Sequence, residues 1–301
     1  MIIAKHQVEN LASAQRLSDY LVGKFEEIQT RKGIKKAIEK RQVLVNDVIA
    51  TTAYWVQSGD VICLQESLAA PPKTYDLELE IPFEDDFLAV VVKPAGIPVS
   101  GNLFKTLFNA LGDNLERSKQ KDALRWPLPV HRLDTATSGL VLVAKTHSVR
   151  VELGKLFEER KVTKRYRAIL QGTLIGSGEV TSEVESKQAL TRYHVIENVS
   201  TLKDTSLTLV DFFPVTGRKH QLRVHASSLG LPIVGDQLYQ GDVHMKTDKG
   251  LFLVALELNF VHPATNENVK IEIPMPEKFK SYLAREKKRF EKYNGTDNLN
   301  K

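Results

Sequence analysis

The chain has 301 residues, 42% hydrophobic and 26% charged, a globular composition with enough apolar material for a sizeable core. This excludes wholesale disorder and collagen-like or coiled-coil architectures. Forty-two Lys and Arg against 37 Asp and Glu leave a formal charge of +5, a mild basicity compatible with a nucleic-acid partner. The single cysteine, Cys63, makes an internal disulfide or a multi-cysteine zinc site impossible, and no apolar run is long enough to predict a membrane span. Residues 1–6 lack the apolar centre of a secretion signal, so the expectation is a cytoplasmic protein with no membrane partner.

Residues 1–68 read as a small α+β unit. Leu17, Tyr20 and Leu21 share one side of a first helix. In a second helix Ile34, Ala37, Ile38 and the stem of Arg41 line one face. Lys32, Lys36 and Lys40 recur at four-residue steps on the other face, with Arg31 and Lys35 beside them. The apolar side packs while the basic side stays open to phosphates, although a charge run is also what an ordinary solvated helix face looks like. Val43-Leu44-Val45-Asn46-Asp47-Val48-Ile49 is a strand, a turn and a returning strand, and Ser58-Gly59-Asp60 turns the chain into a strand over 61–64. The order Arg16-Leu17, basic helix, Val43-Leu44-Val45-Asn46, Gly59-Asp60-Val61-Ile62 resembles the alpha-L RNA-binding domain. Ser18 stands where that module usually has an acidic residue, with Asp19 one place later.

Residues 69–76, beginning Ala69-Ala70-Pro71-Pro72, read as a stiff linker. Beyond it the patterns predict strands at 88–92, 139–144, 166–171, 206–212, 253–260 and 269–273, and helices at 106–111, 148–159 and 218–229. Strands outnumber helices and do not alternate with them. Residues 77–276 are therefore expected to form an α+β domain, with a mixed, largely antiparallel sheet flanked by helices. Residues 277–301 read as a basic tail, helical or flexible, that includes Arg285-Glu286-Lys287-Lys288-Arg289.

The densest chemical signal is His131-Arg132-Leu133-Asp134-Thr135-Ala136-Thr137-Ser138-Gly139, leading into the apolar run Leu140-Val141-Leu142-Val143-Ala144. The run reads as a buried central strand, which puts Asp134 on the loop entering the middle of the sheet. Lys164-Arg165-Tyr166-Arg167 opens another strand. Gly217-Arg218-Lys219-His220-Gln221-Leu222-Arg223-Val224-His225 opens a helix with an apolar stripe of Leu222, Ala226 and Leu229, stopped at Gly230. Arg223 neighbours that stripe, where an arginine needs a carboxylate partner.

Together these blocks resemble the RluA-type pseudouridine synthases over roughly residues 80–275. HRLD-x-x-TSGL-x-x-x-AK is matched from His131 to Lys145, K-x-Y by Lys164 and Tyr166, and GR-x-HQLRVH with G-x-PI-x-GD-x-LY from Gly217 to Tyr239. Lys93-Pro94-Ala95-Gly96 and Thr106-Leu107-Phe108-Asn109-Ala110-Leu111 match the family's opening. Val92 replaces an expected Asn, and Val254 replaces an expected His.

The resemblance implies an isomerase that breaks the bond from ribose to uracil N1, turns the base and rejoins it through C5. No electrons, phosphate or water are consumed, so no cofactor and no metal are expected. His220 and His225, five apart, are also poorly spaced for joint ligation. By the same match Asp134 is the essential carboxylate, Arg223 its charge partner, and Tyr166 the ring that stacks on the flipped uracil. Arg132 fills the gap left in the RNA, and His131, Arg218, His220 and Leu253 contact substrate, while Arg31, Lys32, Lys35, Lys36 and Lys40 hold RNA on the N-terminal unit. Large-subunit ribosomal RNA is the expected partner, with transfer RNA behind it, and the protein is expected to be a monomer. Two competing readings are a catalytically dead RNA-binding or ribosome-assembly factor and a glycosidase. The first conflicts with the intact set Asp134, Tyr166 and Arg223. The second needs another carboxylate beside Asp134, which these blocks do not supply.

Overall fold

The computed structural model describes residues 2–11, 13–65, 72–202, 206–240 and 249–294. The N-terminal unit runs β1 (Ile2–Gln7), α1 (Leu17–Tyr20), α2 (Arg31–Glu39), β2 (Val43–Val45), β3 (Val48–Ile49) and β4 (Val61–Gln65), its strands forming an antiparallel sheet in the order β1-β4-β2-β3. Asn46 and Asp47 both have positive φ (49° and 65°), the conformation a two-residue hairpin turn of this hand requires. Thr30 caps α2 by accepting from Gly33 N–H. Ile34, Ala37 and Ile38 are buried in a core with Leu17, Leu21, Val43, Val45, Ile62 and Leu64. Arg41 departs from expectation: it leaves the helix in the left-handed region and is exposed, so its stem adds nothing to that face.

The remaining elements are β5 (Phe83–Glu84), β6 (Leu88–Lys93), α3 (Leu107–Asn114), β7 (Ala123–Pro129), β8 (Ser138–Thr146), α4 (His147–Glu158), β9 (Thr163–Gln171), β10 (Ser177–Val184), β11 (Lys187–Ser200), β12 (Ser206–Pro214), α5 (Gln221–Ser228), β13 (Leu253–Val261), β14 (Asn268–Glu272) and α6 (Glu277–Asn294). The strands form one mixed sheet in the order β10-β11-β12-β9-β13-β8-β6-β5, with β14 on β13 and β7 on β8. Among the described residues the β8–β13 pairing is parallel and the other pairings are antiparallel. This is the expected α+β architecture.

The apolar run in β8 follows from burial on both faces. Leu140, Leu142 and Ala144 share a core with Val149 and Leu153 of α4, Leu222 and Ala226 of α5, and Phe279, Tyr282 and Leu283 of α6. Val141 and Val143 face the other way, against Leu107, Ala110 and Leu111 of α3. Residues 277–294 are thus no loose tail: the first turns of α6 belong to the main core, and Lys278 Nζ donates to Leu251 O at 2.8 Å. Residues 66–71, which include the start of the expected linker, and 295–301 lie outside the described residues. Leu229 is exposed rather than part of the α5 stripe. No helix among the described residues is long and apolar enough to cross a membrane.

Candidate active site

A cleft of about 550 Å³ opens where the β8 entry loop, the start of β9 and the N-terminal end of α5 converge. Asp134, Tyr166, Arg223, Arg132, His131, Arg218, His220 and Leu253 all line it. The basic residues of α2 belong to the separate N-terminal unit. There Lys32, Lys35, Lys36 and Lys40 are exposed, and Arg31 forms an ion pair with Asp19.

Asp134 is placed by a set of backbone ties. Its carbonyl accepts from Thr137 N–H at 3.1 Å, and Thr135 O accepts from Gly96 N–H at 2.7 Å. Lys93, fully buried at the end of β6, donates from Nζ to the carbonyls of Pro94 (2.7 Å), Ile97 (2.8 Å) and Thr135 (3.4 Å). The ammonium therefore pins the loop from behind. Burial pulls its pKa down to about 8, against the opposing pull of the Asp134 charge. The Asp134 carboxylate is 19% exposed, and among the described residues its nearest cation-capable neighbour is His220, with Nε2 3.7 Å from Oδ1.

The expected Asp134–Arg223 pair is corrected by the geometry. Arg223 makes a bidentate pair with Asp236, Nε to Oδ2 and Nη2 to Oδ1 at 2.7 Å each. A buried guanidinium takes the partner that also shields it best, and Asp236 is itself buried, its Oδ1 also accepting from the backbone N–H of Leu238 and Tyr239. Burial works against the Arg223 charge. The Asp236 carboxylate outweighs it and raises the pKa, with Asp134 adding to the rise from farther away.

Asp236 and Tyr239 thereby organise the far wall. Tyr239 Oη is 2.9 Å from His220 Nδ1, and the Arg223 guanidinium lies 5.1 Å from the Tyr239 ring centroid. His220 has φ 55° and ψ 17°, a left-handed conformation that costs a residue with a Cβ roughly 1–2 kcal/mol. It delays the start of the expected helix, so α5 begins at Gln221 rather than 218. Gln221 compensates: its amide accepts from Thr216 Oγ1 and Arg218 N–H and donates to Leu190 O and Thr191 Oγ1. Burial holds His220 below the usual histidine range and so favours the neutral ring, against the upward pull of Asp134.

Tyr166 is raised above the ordinary phenol range, first by burial and then by the Asp134 charge. Leu253 lines the cleft, whereas Val254, buried opposite Ser138, does not. His131 differs from its expected role. Its Nε2 accepts from Leu142 N–H at 2.9 Å, and burial, then the Lys164 charge, push its pKa down to about 3. It is a neutral strut tying the loop to β8. Arg218 reaches Gln188 O with Nε at 3.4 Å, and Arg132 is exposed at the mouth. Sequence reasoning passed over Lys93, Asp236 and Tyr239 as site residues. The available signals were Lys-Pro closing an apolar strand and Gly-Asp following a helix stop.

A family model described as RNA pseudouridylate synthase matches residues 87–228, a span holding Asp134, Tyr166 and Arg223. The ribosomal large subunit pseudouridine synthase C of Rickettsia bellii is 32% identical over 90% of this chain and 97% of its own length. The ribosomal large subunit pseudouridine synthase D of Xylella fastidiosa is 31% identical over 91% of this chain and 89% of that protein. Among solved structures, human RNA pseudouridylate synthase domain containing 4 superposes with a TM-score of 0.54 at 27% identity, over 68% of this chain and 92% of the human one. With near-full-length relatives at this identity and a matched segment that holds Asp134, Tyr166 and Arg223, the chain belongs to the RluA-type RNA pseudouridine synthases, isomerases that convert uridine to pseudouridine within RNA.

Proposed function

We propose that Asp134 is the carboxylate that carries the isomerisation and that the substrate is large-subunit ribosomal RNA. The observation supporting the first part is the convergence on one cleft of a mostly covered carboxylate, a partly buried phenol and a guanidinium, carried by the β8 entry loop, strand β9 and helix α5. Asp134 attacks the ribose or takes its proton as the N1 bond breaks. Tyr166 stacks on the flipped uracil, and Arg132, exposed at the mouth, fills the vacancy in the RNA. Arg223 contributes positive potential while anchored to Asp236, and the fixed His220 ring faces the reacting carboxylate. The chemistry is internal to the substrate and calls for no cofactor.

The substrate reading rests on the names of the relatives, which act on the large ribosomal subunit, and on the exposed basic face of α2 in a unit that resembles an alpha-L domain. Cytoplasmic action goes with that substrate. Asp134→Asn keeps the shape and removes the anionic oxygen. Pseudouridine formation should fall to background in purified protein while melting temperature and RNA affinity hold. Carbodiimide mapping of RNA from cells with and without the protein should show that a stop in large-subunit RNA disappears. Substantial turnover by Asp134→Asn would remove Asp134 from its role, and a change confined to transfer RNA would replace the substrate.

A further inference from the structure

Lys164 is a cation to which the mechanism above gives no task. It lies on β9 two residues before Tyr166, so the two side chains project from the same face of the strand about 7 Å apart along it. Both line the cleft. The opposite face of β9 behaves differently, because Arg165 and Arg167 are both held by Asp211 in ion pairs. The buried lysines elsewhere are also satisfied: Lys93 by carbonyl groups and Lys145 by Glu84 at 2.6 Å. Lys164 is half-buried, and burial pulls its pKa below the usual lysine range. Among the described residues its side chain makes no hydrogen bond or ion pair, with the cleft carboxylates Asp134 and Glu158 included.

Taking an ammonium even partly out of water without a counter-charge is unfavourable, and what enters the cleft can bring an anion to Lys164. The enzyme's substrate is a polyanion whose backbone runs a sugar's width from each base. We propose that Lys164 binds the backbone phosphate flanking the target uridine when that uridine is turned in against Tyr166. The assignment rests on Asp134 and Tyr166 marking the reacting nucleotide. Two strand positions then separate the surface that receives the base from the charge that receives its phosphate. The exposed Lys219 at the mouth is screened by salt, whereas a half-buried contact is screened far less. Lys164 thereby sets how deep the flipped nucleotide sits and helps offset the cost of extruding it.

The test uses Lys164→Met and Lys164→Arg in the full chain, with a short RNA hairpin carrying the mapped uridine. One hairpin keeps all its phosphates, and two others each carry a neutral methylphosphonate on one side of that uridine. Losing a charged hydrogen bond should weaken hairpin affinity roughly 10–100-fold in Lys164→Met and flatten the log affinity–log salt slope by about 0.7–0.9. The loss should appear in KM far more than in kcat, and Lys164→Arg should recover most of it. One of the two neutral phosphates should cost the wild type a similar factor yet cost Lys164→Met almost nothing. Unaltered affinity in a folded Lys164→Met, equal methylphosphonate losses in both proteins, or a fall in kcat with affinity intact would each overturn the assignment. So would a wild type indifferent to both neutral phosphates, an outcome that does not depend on any variant folding. These readouts are affinities, so they stay separate from the turnover of Asp134→Asn, which tests the site reading itself.

Discussion

A phenol that burial and a nearby carboxylate keep protonated is a poor proton acceptor near neutral pH. That favours Tyr166 acting through its ring. Tyr166→Phe keeps the ring and should retain most of the single-turnover rate, whereas Tyr166→Leu loses the stacking surface. Base–aromatic stacking is worth about 1–3 kcal/mol, so Tyr166→Leu should lose roughly 5–150-fold in kcat/KM. If Phe and Leu are equally inactive, the hydroxyl is the functional group; wild-type rates in Tyr166→Leu would place the residue outside the reaction. Residue chemistry also explains why the sequence did not reveal the direct ion-pair partner of Arg223. A buried arginine needs a carboxylate, and both Asp134 and Asp236 qualify. Only the fold brings Asp236 to 2.7 Å from two of the guanidinium nitrogens.

At the scale of elements, the entry to β8 is the decisive joint. Gly139 has φ 116°, and a Cβ there would sit 2.6 Å from Ala255 N and hard against the Ala255 carbonyl oxygen. The residue marks the parallel contact of β8 and β13, five positions after Asp134. Gly139→Ala should therefore strain the backbone and push the strands apart, costing at least about 1–3 kcal/mol. Thermal melting should show a clear drop, and activity should fall further than stability because the Asp134 loop shifts with the strand. An unchanged melting temperature would contradict that close approach. Strand prediction succeeded where the pattern was continuous or alternating, as in β6, β8 and β13. It missed β10 and β11, whose Ser177-Gly178-Glu179-Val180 and Arg192-Tyr193-His194 stretches expose many polar side chains at the sheet edge. There cross-strand pairing, a non-local interaction, supplies what local pattern does not.

Across the whole molecule, the N-terminal unit has its own core and presents Lys32, Lys36 and Lys40 outward, opposite buried Ile34 and Ile38. If these lysines hold phosphates, changing all three to Gln should flatten the log affinity–log salt slope by about 0.7–0.9 for each phosphate no longer neutralised. The drop in affinity should be largest at low salt. The rate at saturating RNA and the melting temperature should barely move, because those side chains touch neither the cleft nor a core. Unaltered affinity and slope would make the run an ordinary solvated face and leave the RNA grip to the cleft and α6.

The sequence by itself determined the chemistry-bearing blocks, their order, the α+β class and the buried central strand. All of these depend on local residue identity and hydrophobic period, which the chain carries in linear form. Tertiary structure decided the rest. It paired Arg223 with Asp236, turned His131 into a neutral strut and placed His220 in a left-handed conformation against Tyr239. It drew α6 into the core and, among the described residues, left Lys164 without a counter-charge beside Tyr166. Each of these outcomes depends on which of several eligible partners comes close in space. Burial then selects among them, since a charge or ring nitrogen removed from water keeps only the partner within its reach.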